Sequence, residues 1–173
     1  MLTGNNIKVL LVGASGMVGR NILELYSDGN YNFITPDSRE LNLLNQNSVY
    51  NFLEKTLPDI IIHAAARVGG IHSNISNPIA YFSENLQMGI NLIKSSKNLG
   101  IKKLMNIGSS CMYPSMFLTP IKESDLLTGR FEKTNEAYAI SKTTVAKYCE
   151  YISLNPSYKY KTIIPCNLYG RYD

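Results

Sequence analysis

The chain has 173 residues, of which 45% are apolar and 17% charged. That length can bury roughly 70% of the surface of the unfolded chain in one domain, and the composition excludes a disordered chain, a collagen-like repeat and a long coiled coil. The net charge of +4 is spread over scattered lysines and arginines, so there is no basic stripe, and no nucleic-acid partner is expected.

Short β-rich runs alternate with longer amphipathic stretches along the chain. Ile7–Val12 reads as a first strand, followed by a glycine-rich turn and a helix over Met17–Ser27. A second strand is expected at Tyr31–Thr35 and a helix at Gln46–Lys55. A third strand at Asp59–His63 precedes a long helix at Asn77–Leu99. A fourth strand at Lys102–Ile107 leads into the loop Met112–Asn135, then a helix at Glu136–Leu154 and a fifth strand at Lys161–Pro165. Runs such as KVLLV and DIIIH are apolar almost throughout, as in strands covered on both faces. This alternation predicts an α/β fold, a doubly wound parallel sheet of Rossmann type with right-handed crossovers. Residues 1–173 read as one dinucleotide-binding domain, and the stop after the fifth strand is expected to interrupt it.

Three motifs carry chemistry. The first is GASGMVG, Gly13 to Gly19, between the first strand and its helix. Gly13 permits the tight turn, Gly16 lets a phosphate approach the backbone, and Gly19 lets helix pack on strand. Ser15, Met17 and Val18 complete the turn, and the helix N-terminus offers amides to a pyrophosphate. After the second strand comes TPDSREL. There Asp37 suits the ribose 2′-OH of NAD and Arg39 suits a 2′-phosphate, so both NADP and NAD stay open.

The second motif is Tyr138-Ala139-Ile140-Ser141-Lys142. Residues four apart share a helix face, and an ammonium beside a phenol is expected to lower its pKa towards working pH. Such a tyrosine exchanges a proton with a carbonyl oxygen as hydride moves to or from carbon. The third is Gly108-Ser109-Ser110-Cys111-Met112-Tyr113-Pro114, at the carboxyl end of the fourth strand, where ligands sit in such sheets. Ser109 or Ser110 can bond a carbonyl there, and Cys111 is either a base or nucleophile or a buried free thiol.

The three cysteines, Cys111, Cys149 and Cys166, are odd in number and lack a CxxC pair. That points to a reducing compartment, with neither a disulfide framework nor a metal site. No apolar run approaches the length of a membrane span, and the opening MLTGNNIKVLLVG lacks the long apolar region of a signal peptide. A cytoplasmic protein without a membrane partner is expected.

Taken with HAAARVGGIHSN, PIAYFSENLQMGINLI, IGSSCMYP, TNEAYAISK and PCNLYG, the motifs resemble the extended short-chain dehydrogenase/reductase family. Within it they are most similar to the branch that epimerises GDP-4-keto-6-deoxy-D-mannose and reduces it to GDP-L-fucose with NADPH. The resemblance implies Tyr138 as the acid at the C4 oxygen and Lys142 as its partner and ribose ligand. It implies Ser109 on the substrate carbonyl and Cys111 as the base at C3 and C5. Gly13, Gly16 and Gly19 would hold the pyrophosphate, Asn42 and Leu43 would lie near the adenine, and Ala64, Ala65 and Ala66 would line the groove. Pro165, Asn167 and Leu168 would also contact the cofactor. A GDP-sugar substrate is implied, and a homodimer through the 77–99 and 136–154 helices. Ser15 and Ser38 fall where some relatives use arginines for a 2′-phosphate. The family's second acid is a histidine beyond the YxxxK helix. His63 and His72 both precede that helix, so the substrate-binding part is expected to lie outside this chain. Related NAD(P)-dependent nucleotide-sugar epimerases or dehydratases, a GDP-colitose-forming enzyme and a non-catalytic dinucleotide-binding remnant are the alternatives.

Overall fold

A computed structural model describes residues 7–26, 29–116 and 120–173. Five strands, β1 (Ile7–Val12), β2 (Tyr31–Ile34), β3 (Ile60–His63), β4 (Lys103–Ile107) and β5 (Lys159–Ile163), form one sheet. Every pairing is parallel, in the order β2-β1-β3-β4-β5. Helices α1 (Met17–Leu25), α2 (Gln46–Thr56), α3 (Ile71–Ser76), α4 (Pro78–Asn98) and α5 (Glu136–Ile152) fill the connections. The path steps from β1 out to β2, then back across β1 to β3 and onward. Right-handed crossovers therefore put α1 on one face and α2, α4 and α5 on the other. The reversal between β1 and β3 opens a crevice beyond their carboxyl ends.

The three-helix face holds the core. In register, Leu10, Ile61, Leu104 and Tyr160 make one row across four strands, and all are buried against Leu53, Leu92, Ile93 and Val145. Each such side chain contributes about 1.5–3 kcal/mol by leaving water. One step towards the carboxyl ends, the row becomes Val12, His63, Asn106 and Thr162. The sheet thus turns polar where the crevice begins.

The helices start and stop on local chemistry. Asn45 caps α2 by accepting the N–H of Ser48 at 3.0 Å. Pro78 occupies the first turn of α4, where its missing N–H costs nothing. Helices α4 and α5 approach closely at Gly89, where a Cβ would lie 2.4 Å from Cγ2 of Val145.

The sequence places β5 two residues late. Its ladder begins where Lys159 donates its N–H to the carbonyl of Lys102 at 2.7 Å, and Pro165, with no N–H, falls outside it. The short helix α3 has no amphipathic signature, because Ile71 and Ile75 are exposed. Helix α1 ends at Leu25 rather than Ser27, which lies outside the described residues. Single turns of 3₁₀ helix form at Ser110–Met112, where the chain enters the Met112–Asn135 loop, and at Glu123–Asp125 within it. No helix among the described residues is long and apolar enough to cross a membrane, and no cluster of His, Cys, Asp or Glu there has the makings of a metal site.

Candidate active site

Two cavities meet above the carboxyl edge of the sheet. The outer one, about 740 Å³, runs along the glycine turn from Gly13 to Gly19, past Asp37, Asn42 and Leu43, to Ala64, Ala65 and Ala66. Gly13 sits at φ +84°, and a Cβ there would lie 2.5 Å from the backbone nitrogen of Ala65. A Cβ on Gly19 would lie 2.4 Å from the carbonyl oxygen of Gly13. These two glycines let turn, strand and helix close on one another. Gly16 differs: the one atom a Cβ would meet is 3.5 Å away, so its bareness leaves room on the groove side. Helix α1 starts there with no side-chain cap and no acid in its first turn, which suits an anion. A pyrophosphate-bearing dinucleotide fits these residues.

At the far end of that groove, Asp37 is turned onto its own loop. Its Oδ1 accepts the N–H groups of Arg39 at 2.7 Å and Glu40 at 3.0 Å, while Oε2 of Glu40 accepts the Asp37 N–H at 2.9 Å. Asp37 and Ser38 line the groove; Arg39 is exposed and does not. Ser15 lines it beside the glycines.

The inner cavity, about 470 Å³, shares Val18, Ala64, Ala66 and Val68 with the outer one. Ser109, Cys111, Tyr138 and Lys142 all line it, and Pro165, Asn167 and Leu168 close it from the segment after β5. Ser109 Oγ accepts the N–H of Cys111 at 3.4 Å, and the Ser109 hydroxyl lies near enough to the phenol of Tyr138 to influence its pKa. The wall opposite is stiff. Asn85 of α4 accepts the backbone N–H of Arg67 at 2.8 Å and donates to the Arg67 carbonyl at 3.0 Å. The Arg67 side chain pairs with Glu84 at 2.9 Å and lies over the ring of Tyr81, whose edge meets Tyr138 at 6.5 Å between centroids.

The electrostatics correct one expectation. Lys142 does not lower the phenol of Tyr138, whose pKa is pushed up to about 12, first by burial and then by the neighbouring Cys111. The Ser109 hydroxyl acts in the opposite direction. Lys142 is buried at 5% exposure, and burial holds its ammonium down to about 8. Its charge is felt instead by His63 and Cys149 beneath the cavity. Loss of water outweighs a charge whose nearest contacts lie elsewhere.

His63 lines neither cavity and His72 is an exposed residue of α3. Sequence reasoning missed Asn135, whose Nδ2 donates to Sγ of Cys111 at 3.1 Å. An asparagine ahead of a helix reads as an ordinary cap, so no local signal sets it apart. The polar row of His63, Asn106 and Thr162 was equally hidden, because it arises from register between distant strands.

The comparisons agree with this architecture. The family model described as NAD dependent epimerase/dehydratase family matches residues 9–173. A GDP-L-colitose synthase of Yersinia pseudotuberculosis is 53% identical over 168 residues, covering 96% of this chain and 54% of its own length. A GDP-L-fucose synthase of Azorhizobium caulinodans is 45% identical, with the same coverages. Among solved structures, a GDP-D-glycero-L-gluco-heptose synthase from Campylobacter jejuni, crystallised in the presence of NADPH, superposes with a TM-score of 0.90 at 29% identity. It covers 96% of this chain and 49% of that one. The chain spans about half the length of the curated relatives it matches. The match over residues 9–173 takes in both the glycine turn and the helix that carries Tyr138 and Lys142, and the chain belongs to the NAD dependent epimerase/dehydratase family.

Proposed function

We propose that this chain is the cofactor-binding portion of an NADPH-dependent epimerase-reductase that converts GDP-4-keto-6-deoxy-D-mannose to GDP-L-fucose. The supporting observation is the meeting of Ser109, Cys111 and Tyr138 in one cavity that opens onto the glycine groove. NADPH supplies a hydride when bound. Gly13, Gly16 and Gly19 hold its pyrophosphate, with Ser15, Met17 and Val18 around it. Asn42 and Leu43 lie by the adenine, and Ala64, Ala65 and Ala66 line the path between. Pro165, Asn167 and Leu168 enclose the nicotinamide end. Because the Asp37 carboxylate is engaged by its own loop, it leaves a 2′-phosphate less opposed than its charge alone suggests.

Tyr138 acts as the acid. A phenol pushed up to about 12 stays protonated at neutral pH and is ready to donate to the C4 oxygen. Ser109 orients that oxygen, and Lys142 carries the positive charge on the same helix. Cys111 removes the protons at C3 and C5, which the C4 ketone makes acidic by delocalising the electron pair left behind. Exchange of those protons for deuterium, followed by NMR, tests the assignment. Cys111→Ser abolishes exchange while NADPH binding persists. Exchange at the wild-type rate in that variant overturns the role.

A GDP-colitose-forming reaction is the second reading, favoured by the 53% identity to a synthase of that name. Parallel turnover assays with the two GDP-keto-sugars decide between them. We place the protein in the cytoplasm, in keeping with its free cysteines. It pairs with a second copy through α4 and α5, where Ile90, Leu127, Phe131, Ile140 and Tyr151 line an apolar cavity of about 520 Å³. Sedimentation of Ile140→Glu against wild type tests the pairing: a monomer is expected, and an unchanged mass overturns it.

A further inference from the structure

Asn135 stands just ahead of α5, where an asparagine ordinarily turns its side-chain oxygen onto the first amides of the helix. It makes no such cap. Nδ2 reaches 24 residues back along the chain to Sγ of Cys111, at 3.1 Å, while Oδ1 is buried with no hydrogen-bond partner. The amide gives up a local bond, and leaves a carbonyl unsatisfied, for one contact to a thiol. A local rule broken without local compensation marks a functional demand. The opposite side of Cys111 is held by Ser109, whose Oγ accepts its N–H. Asn135, at the N-cap of α5, precedes Tyr138 by three residues, and both line the inner cavity.

We propose that Asn135 is a positioning residue for Cys111, holding Sγ in the cavity beside Tyr138 through the donated N–H. The proposal rests on the reading of Cys111 as the base. The bond aims the sulfur, since an unbranched thiol otherwise has more than one staggered χ1 well open to it.

The test needs no turnover. The chain is treated with iodoacetamide across pH 6–10, and the labelling rate of each cysteine is read by peptide mass spectrometry. The comparison is with Asn135→Leu, which lacks the donor, and Asn135→Ser, which can cap α5 but is too short to reach the sulfur. Cys166, exposed at the cavity rim, is the reference, and buried Cys149 reports whether the fold is intact. Both variants are expected to label Cys111 about tenfold more slowly, as the sulfur turns out of the cavity, with Cys166 unchanged. A wild-type rate at Cys111 in either variant, with Cys149 protected, overturns the proposal. If Asn135→Leu exposes Cys149, the serine variant decides. Failure of the base assignment shows separately, as deuterium exchange at C3 and C5 that survives Cys111→Ser, and leaves the labelling result standing.

Discussion

The Lys142 charge of α5 bears on His63 of β3 at the floor of the inner cavity, and burial drives both towards their neutral forms. His63 is 2% exposed and its pKa falls to about 3, chiefly from lost solvation and then from the Lys142 charge. Lys142 falls to about 8. His63 does not act in return, because it is already uncharged where Lys142 titrates. A cation is thus kept on the floor of the site at a cost to stability, an arrangement common where function sets the demand.

That cost has a sign and a window. The native Lys142 releases its proton near 8, well below its ordinary 10.5, so between those values the unfolded chain binds more protons and stability rises with pH. At pH 7 the penalty is on the order of 3 kcal/mol. Lys142→Met is expected to raise stability at pH 7 by about 2–3 kcal/mol and to lose this advantage towards pH 10. Urea melts at pH 7 and 10 check it, and a variant less stable than wild type at pH 7 contradicts the argument.

His63 sets the acid side. With its folded pKa near 3 against an ordinary 6.5, its contribution is complete above 6.5 and is lost as pH falls towards 3, by about 2 kcal/mol at pH 5. His63→Leu should flatten the stability profile between pH 6.5 and 4. Thermal melts across that range decide, and an unchanged slope would falsify the assignment.

The glycines of the turn separate folding from binding. Gly19→Ala forces a Cβ to within 2.4 Å of the Gly13 carbonyl oxygen and should cost about 1–3 kcal/mol or more. Gly16→Ala meets one atom at 3.5 Å and should melt like wild type, yet bind NADPH roughly tenfold more weakly, since about 1.4 kcal/mol of lost contact suffices. Calorimetry on both variants is the check. Equal NADPH affinity in wild type and Gly16→Ala removes the groove from consideration.

Asn85 clamps the Arg67 backbone from both sides and also donates to the carbonyl of Tyr81 at 2.8 Å. Asn85→Ala deprives the partly buried Arg67 backbone groups of their partners and should cost about 1–3 kcal/mol. The Arg67 amide should exchange with deuterium far faster, while amides in β1 should slow or hold in line with global stability. Unaltered protection at Arg67 contradicts the clamp.

The local features were legible in the amino-acid order. Apolar runs marked the strands, helical periodicity marked α4 and α5, and GASGMVG and Tyr138–Lys142 stood out because each works within a few consecutive residues. Edges were less so: β5 was misplaced by two positions because its start depends on a ladder bond to Lys102 rather than on its own residues. What required the tertiary structure was everything made between distant segments. Register across β3, β4 and β5 built the row of His63, Asn106 and Thr162. Docking of α5 on the sheet turned Asn135 towards Cys111 and reversed the expected shift of Tyr138. Sequence spacing says which groups can share a helix face, but the loss of water at each group is set by the whole fold, and here that loss is the larger effect.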